Sequence, residues 1–260
     1  MSVAAPRRPG LFSGFNRFVE YAGGLATMFG EVCRNVVTLN FRPSEVIRQA
    51  YFLGVESWTI VVLTSLFTGL VISLEAASQA VSYGLSQFVG GSVAFGEVRE
   101  LGPMLTGIVF AGRAGAAITA SLGSMVVTEQ VEALQSMGVS AVKVLVTPRL
   151  LASLITVPML TVFADIVGVY GGYYMAWLRV HMSPYTYWHS VQTTIIFSDF
   201  YKGLEKAAVF GVLVALVAGY EGFRAEGGAE GVGRVTTHAV VTGIILIFVF
   251  NFALSFVLFP

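Results

Sequence analysis

The sequence predicts an all-α integral membrane protein. It reads as about five transmembrane helices, an amphipathic interfacial helix ahead of them, and a short cytoplasmic helix between spans two and three. Three observations predict this. Hydrophobic residues fill 55% of the 260 positions and charged residues only 12%, against about 25% charged in an average soluble chain. The mean hydropathy is +0.77. Five segments approach or reach the roughly 20 mostly apolar residues that a spanning helix needs. A water-facing surface needs more charge than this chain has, so a bilayer is the solvent that fits. The formal net charge is zero, which leaves no electrostatic case for nucleic acid as a partner. The single cysteine, Cys33, permits no internal disulfide and no metal-site spacing. The chain reads as one domain over 1–260, with 1–57 cytoplasmic or interfacial and 58–260 the transmembrane bundle.

The elements follow in order. Arg7 and Arg8 precede no apolar run and no cleavage site, so no signal peptide is expected. From Phe12 to Leu39, Phe15, Phe18, Val19, Leu25 and Met28 alternate with Arg17, Glu20, Glu31 and Arg34. This pattern predicts a helix lying in the interface plane, or equally one packed on the bundle. Arg42-Pro43-Ser44 breaks the chain, with Ser44 as the expected N-cap of a helix from Glu45. The spans are expected at about Trp58–Ala80, Leu101–Val127, Leu150–Leu178, Ala207–Tyr220 and Ala239–Phe259. The fourth is short and must recruit Gly203 to Lys206. No repeat appears at the periods of solenoid or propeller folds.

Arginines and lysines orient the bundle. Arg7, Arg8, Arg17, Arg34, Arg42 and Arg48 all precede the first span, whereas the loop after it holds only Arg99. A cytoplasmic N-terminus is expected, and five spans then put Pro260 on the far side. The far-side loop His181–Phe200 carries Tyr185, Tyr187, Trp188, Phe197 and Phe200. That density fits an aromatic belt, with a docking surface for an outside partner as the alternative.

One stretch, VTEQVEALQSMGV over Val127–Val139, stands apart from the apolar chain around it. Thr128 is the expected cap. Glu129, Gln130 and Glu132 sit in the first turns, where carboxylates suit the helix dipole. Val131, Leu134 and Met137 form an apolar stripe, and Gly138 is a natural stop. The stretch is either a helix packed on its own bundle or a lever seated in a groove of a cytoplasmic motor.

Ionisable residues inside spans are functional candidates by default. Arg99 and Glu100 are expected at the outer mouth of span two, facing a cavity where Arg99 takes a phosphate and Glu100 tunes or gates the site. The structural alternative is a pair that anchors the start of the span. Tyr83 is a weaker cavity candidate, or a belt tyrosine. Arg113, among Gly112, Ala114 and Gly115, is expected to play a structural role, bonding carbonyls, Asp165 or Glu129. Asp165 is read as structural too. Glu75 either faces the cavity or snorkels.

Chemistry of other kinds finds no footing. Gly228-Ala-Glu-Gly-Val-Gly233-Arg234-Val235 has the glycine spacing of a phosphate loop but lacks its lysine and its Ser/Thr. His181, His189 and His238 have no metal-ligand spacing. Ser65 and Ser121 have no nucleophile-elbow setting. No catalytic residue, metal or cofactor is expected, and any ATP would be bound by another chain.

The block RELGPMLTGIVFAGRAGAAITASLGSMVVTEQVEALQSMGV (Arg99–Val139), with EGGAEGVGRVTTHAVV (Glu226–Val241), resembles the MlaE family of lipid-transport permeases. Glu132-Ala133, Gly138 and then Thr147-Pro148 are also similar to the EAA loop of ABC-importer permeases, though shorter after the glycine. The resemblance covers roughly Trp58 to the C-terminus. It implies a permease domain at the core of an ABC complex in a bacterial inner membrane, with a second permease copy, most simply in a homodimer. Its implied partners are a cytoplasmic ATPase dimer, a ring of MCE-domain proteins and a small STAS-domain protein, with phospholipid as cargo. It implies that Thr128–Met137 is the coupling helix and that Arg99 and Glu100 border a lipid cavity. Two rival readings of the residues stay open. One is an ion-coupled secondary transporter using Arg113, Asp165 and Glu75, although such carriers usually have repeated halves. The other is a membrane scaffold.

Overall fold

A computed structural model describes residues 13–39 and 41–259. Arg7, Arg8, the expected helix start at Phe12 and the terminal Pro260 lie outside the described residues, as do the side chains of Phe15, Arg17 and Phe18. The described chain forms eight helical stretches and no strand. We label them α1 (Ser13–Val37), α2 (Pro43–Ser82), α3 (Ser86–Val127), α4 (Gln130–Ser136), α5 (Val142–Val180), α6 (Pro184–Thr194), α7 (Phe197–Gly222) and α8 (Gly228–Leu258). Five of them, α2, α3, α5, α7 and α8, are long and apolar enough to cross a membrane. They alternate in direction, so α1 and α4 lie at one end of the bundle and α6 at the other.

Every expected span is present, but each begins earlier than its apolar run. The 40-residue α2 is about 60 Å long, twice the roughly 30 Å hydrocarbon core. It starts at Pro43, where a missing N–H is harmless. The Glu45 and Val46 amides both donate to the Arg42 carbonyl, so Ser44 lies inside the helix and is not its cap. The start of α3 at Ser86, not Leu101, has a tertiary cause. Gly90 and Gly91 let the backbone of α6 lie directly on this segment. The Gly91 amide donates to Ser190 Oγ at 2.9 Å. Val89, Val93 and Ala94 are buried there with Tyr187. Likewise α7 starts at Phe197, and its charged first turns are part of the bundle.

The bundle closes through small residues, the usual currency of helix contact in membranes. Gly69 of α2 lies against the Gly168 backbone of α5, and Ser73 Oγ donates to the Gly172 carbonyl at 2.6 Å. Gly211 of α7 sits on the Ser153 backbone of α5. One core, with Leu53, Phe110, Leu122, Phe210 and Ile247, joins the spans, and a smaller one gathers around Tyr187. α8 packs on α7 and α3 and leaves Phe248, Phe252 and Phe256 exposed.

α1 is docked on the bundle. Met28 and Val32 are buried, and Asn35 Nδ2 donates to Thr147 Oγ1 at 3.3 Å. Tyr21 meets Tyr220 edge-on at 5.0 Å. Burial, and next the Glu221 carboxylate, push the Tyr21 phenol well above its ordinary range. Val19, Phe29 and Val37 stay exposed on the outer side, so the helix has one face on the bundle and another free of it.

Candidate functional site

Two regions carry the polar chemistry. The first is built on a π turn over Glu97–Leu101 inside α3. Such turns insert an extra residue and often mark functional sites. Here the turn sends neighbouring side chains to different helices. Arg99 Nη2 donates to Asp199 Oδ1 of α7 at 2.7 Å, and its guanidinium stacks on Phe95 and Phe259 at 4.3 and 4.7 Å. Asp199 Oδ2 also accepts the Ile196 amide at 3.2 Å, which caps α7. Glu100 turns the other way. It accepts from Lys206 Nζ at 2.8 Å, from Asn251 Nδ2 at 2.9 Å and from Ser255 Oγ at 2.8 Å.

Lys206 is the keystone of this group. Its ammonium has three donors, and they reach Glu100 Oε1, the Arg99 carbonyl at 2.9 Å and Ser255 Oγ at 2.7 Å. The two ion pairs balance to zero, which suits a low-dielectric site. Part of Arg99 and of Glu100 remains open, at 24% and 37% side-chain exposure. One expectation is corrected: Arg99 and Glu100 lie inside a span, not before one. Lys206 belongs to α7, as the recruitment of Gly203 to Lys206 into the fourth span required, and its charge is neutralised by helices that meet only in the fold. Tyr83 stands exposed just past α2, and no hydrogen bond among the described residues joins it to Arg99 or Glu100. Asp199, Lys206, Asn251 and Ser255 were absent from the sequence reading of the site. Their only signal was polarity within or beside an apolar run.

Arg113 is held nearer the α4 end. It forms an ion pair with Glu56 of α2, donates to the Phe52 carbonyl at 3.1 Å and to Ser57 Oγ at 3.3 Å, and lies over the Phe52 ring. The expected carbonyl contact is present, but the carboxylate partner is Glu56 rather than Asp165 or Glu129. Asp165 is buried, and neither of its carboxyl oxygens has a hydrogen-bond partner among the described residues. Glu75 is exposed.

The second region is α4. Thr128 does not cap it. Its hydroxyl donates back to the Ser124 carbonyl at 2.8 Å and ends α3, while Gln130 Nε2 donates to Thr128 Oγ1 at 3.0 Å. The N-cap position falls on Glu129, in the left-handed region at φ 59°. The stop at Gly138 is as expected. At φ 74° it allows the Val139 amide to reach the Leu134 carbonyl and its own amide to reach the Gln135 carbonyl, the paired bonds of a Schellman turn. The apolar stripe is graded. Val131 is buried, Leu134 half-buried and Met137 68% exposed. Glu129, Gln130 and Glu132 are exposed. Ser140 Oγ donates to Glu31 Oε1 at 2.5 Å and ties the following turn to α1. A cleft of about 380 Å³ runs beside α4 between Val131, Gln135 and Phe223.

Five membrane-crossing helices, with internal charges neutralised in pairs and a short helix projecting at one end, define a multi-pass membrane protein. Its relatives narrow the class. The family model for Permease MlaE matches residues 46–257, and the chain belongs to this family. It is 37% identical over 243 residues to a probable ABC transporter permease protein of Rickettsia typhi, covering 94% of each chain. It is 35% identical over 230 residues to another of Synechocystis, covering 88% of each. It is also 32% identical over 216 residues, 82% of each chain, to the intermembrane phospholipid transport system permease protein MlaE of Haemophilus influenzae.

Proposed function

We propose that this chain is the permease subunit of an ABC transporter that moves phospholipid between the inner membrane of a bacterium and an MCE-domain partner. A separate cytoplasmic ATPase dimer drives it, and this chain has no nucleotide site of its own. A second permease copy completes the pathway, and a STAS-domain protein joins the complex. The N-terminus and α4 face the cytoplasm, and α6 and the C-terminus face the periplasm. α4 is the coupling helix, docked into the ATPase through Met137 and Leu134. The lipid head group approaches the open sides of Arg99 and Glu100, with Tyr83 on the rim.

The observation that carries this reading is α4 itself. A seven-residue helix is too short to be stable alone in water, yet this one is stopped by a Schellman turn and presents an exposed methionine at its tip. The similarity to a phospholipid permease of Haemophilus influenzae supports the cargo. The test is co-purification from mild detergent, with proteins and lipids identified by mass spectrometry. A stoichiometric ATPase, an MCE-domain protein and bound phospholipid are expected. Met137→Asp, at an exposed position, is expected to lose the ATPase while the permease stays folded. Full ATPase retention in Met137→Asp together with Leu134→Asp would sink the coupling assignment.

A further inference from the structure

Glu97 and Asp165 are the two buried carboxyls among the described residues that the ion pairs leave out. Glu97 is 0% exposed and Asp165 4%. None of their four carboxyl oxygens has a hydrogen-bond partner among the described residues. They occupy one contact between α3 and α5. The Glu97 carboxyl packs on the Cα of Gly168, and the Asp165 carboxyl packs on the Cα of Gly102. A side chain at either glycine would fill the space that a carboxyl now holds. The site is therefore shaped for the two acids, not left over.

The charged neighbours are already engaged. On α3, Arg99 is paired with Asp199 and Glu100 with Lys206. On α7, Asp199 and Lys206 are those same partners. From α6, Tyr187 gives its proton to the Val169 carbonyl at 3.0 Å. From α2, the contact is met by Gly69 and Ser73, neither titratable. Arg113 is held by Glu56, and Arg149 by the Leu145 carbonyl and Ser121 Oγ. No salt bridge among the described residues reaches either acid. A bare carboxylate in such a place is far costlier than a neutral acid. The neutral acid also has a donor, and the Glu97 backbone carbonyl borders the same space over Gly102 as the Asp165 carboxyl.

We infer that Glu97 and Asp165 form a buried proton-binding site that holds span two against span three as a pair of neutral acids. Proton loading is the condition for this contact, and loss of protons to water is what loosens it. This site does not depend on what the permease carries.

The test uses the full chain in lipid nanodiscs. Infrared difference spectra between acid and alkaline buffer are expected to show the carbonyl stretch of protonated carboxylic acids at neutral pH. Glu97→Gln with Asp165→Asn, which imitates the loaded state, is expected to remove that band. Melting is then followed from about pH 6 to about pH 9, above the ordinary carboxylate range of about 4. An unfolded chain in water binds fewer protons there than the native site, so stability falls as pH rises. The wild type is expected to lose melting temperature across this window, and the double variant to lose much less. Superimposed pH curves, or no acid band in the wild type, would overturn the proposal. So would restoration of the alkaline wild type by sodium or calcium but not by choline, which would make the site one for a metal cation. If the double variant does not fold, the wild-type spectra and Glu97→Gln alone decide the matter.

Discussion

The Lys206 ammonium lies 2.8 Å from Glu100 Oε1 and is wholly buried, whereas Glu100 keeps 37% of its side chain open. The pair thus has a sealed cation and an accessible anion. Removing the lysine strands Glu100 with only neutral partners. Lys206→Met is expected to cost about 1.5–3 kcal/mol, the scale of a lost hydrogen bond to a charged group, because the carboxylate left behind is partly open. Lys206→Met with Glu100→Gln should recover a large part of that loss, because no charge is then left over. Thermal melting of the four proteins in detergent checks this, and strictly additive losses would show that the two residues are not coupled.

Asp199 has two tasks, an ion pair with Arg99 and a cap for α7. Asn keeps an acceptor for the Ile196 amide, and Ala does not. Asp199→Ala is therefore expected to be less stable than Asp199→Asn by about 1 kcal/mol, the typical worth of an N-cap. Equal stabilities would mean that the cap contributes nothing.

Gly69 is where α2 touches the α5 backbone. A Cβ there meets the Gly168 carbonyl, so Gly69→Ala must push the helices apart, at about 1–3 kcal/mol. Gly23 of α1 has open space around it. Gly23→Ala should instead stabilise by up to about 1 kcal/mol through helix propensity. Melting temperatures moving in the same direction would contradict this packing.

Tyr187 of α6 is fully buried. Burial, then the nearby Glu97, hold its phenol well above the ordinary tyrosine range. Ionisation is thus disfavoured in the native state only. It brings no stability change below about pH 10, and stability is lost as pH rises beyond that. Ultraviolet titration should show Tyr187 silent at about pH 10, the ordinary tyrosine value, by comparison with Tyr187→Phe. The Phe variant should cost about 1 kcal/mol for the lost bond to the Val169 carbonyl.

Gly138 occupies the left-handed region that closes α4. Gly138→Ala is expected to cost about 1–2 kcal/mol locally. Amide exchange at Val139, which is bonded to the Leu134 carbonyl, should accelerate. Unchanged protection would show that the turn does not stop the helix.

Much of this architecture is legible from local pattern. The five spans, the break at Pro43, the amphipathic α1 and the stop at Gly138 all follow from hydropathy and backbone preference. The lengths of α3 and α7 do not. Gly90, Gly91 and Gly96 dilute the apolar signal ahead of Leu101, and Asp199, Lys202, Glu205 and Lys206 do the same ahead of Ala207. Those residues look like loop until the neighbours that neutralise or cover them are known. Thr128 shows the same limit on a smaller scale. Its type suits a cap, but whether it ends one helix or starts the next depends on where its hydroxyl turns.

By itself the sequence determined the solvent of this protein, the number of its crossings and its membership of a permease family, because hydropathy, helix stops and a long motif are properties of consecutive residues. Only the tertiary structure decided the partners of its charges: Arg99 with Asp199, Glu100 with Lys206, Arg113 with Glu56, and Glu97 and Asp165 with none among the described residues. The reason is that Coulomb attraction and desolvation in a bilayer act across helices, over a few ångströms, between residues that the chain separates by up to 106 positions.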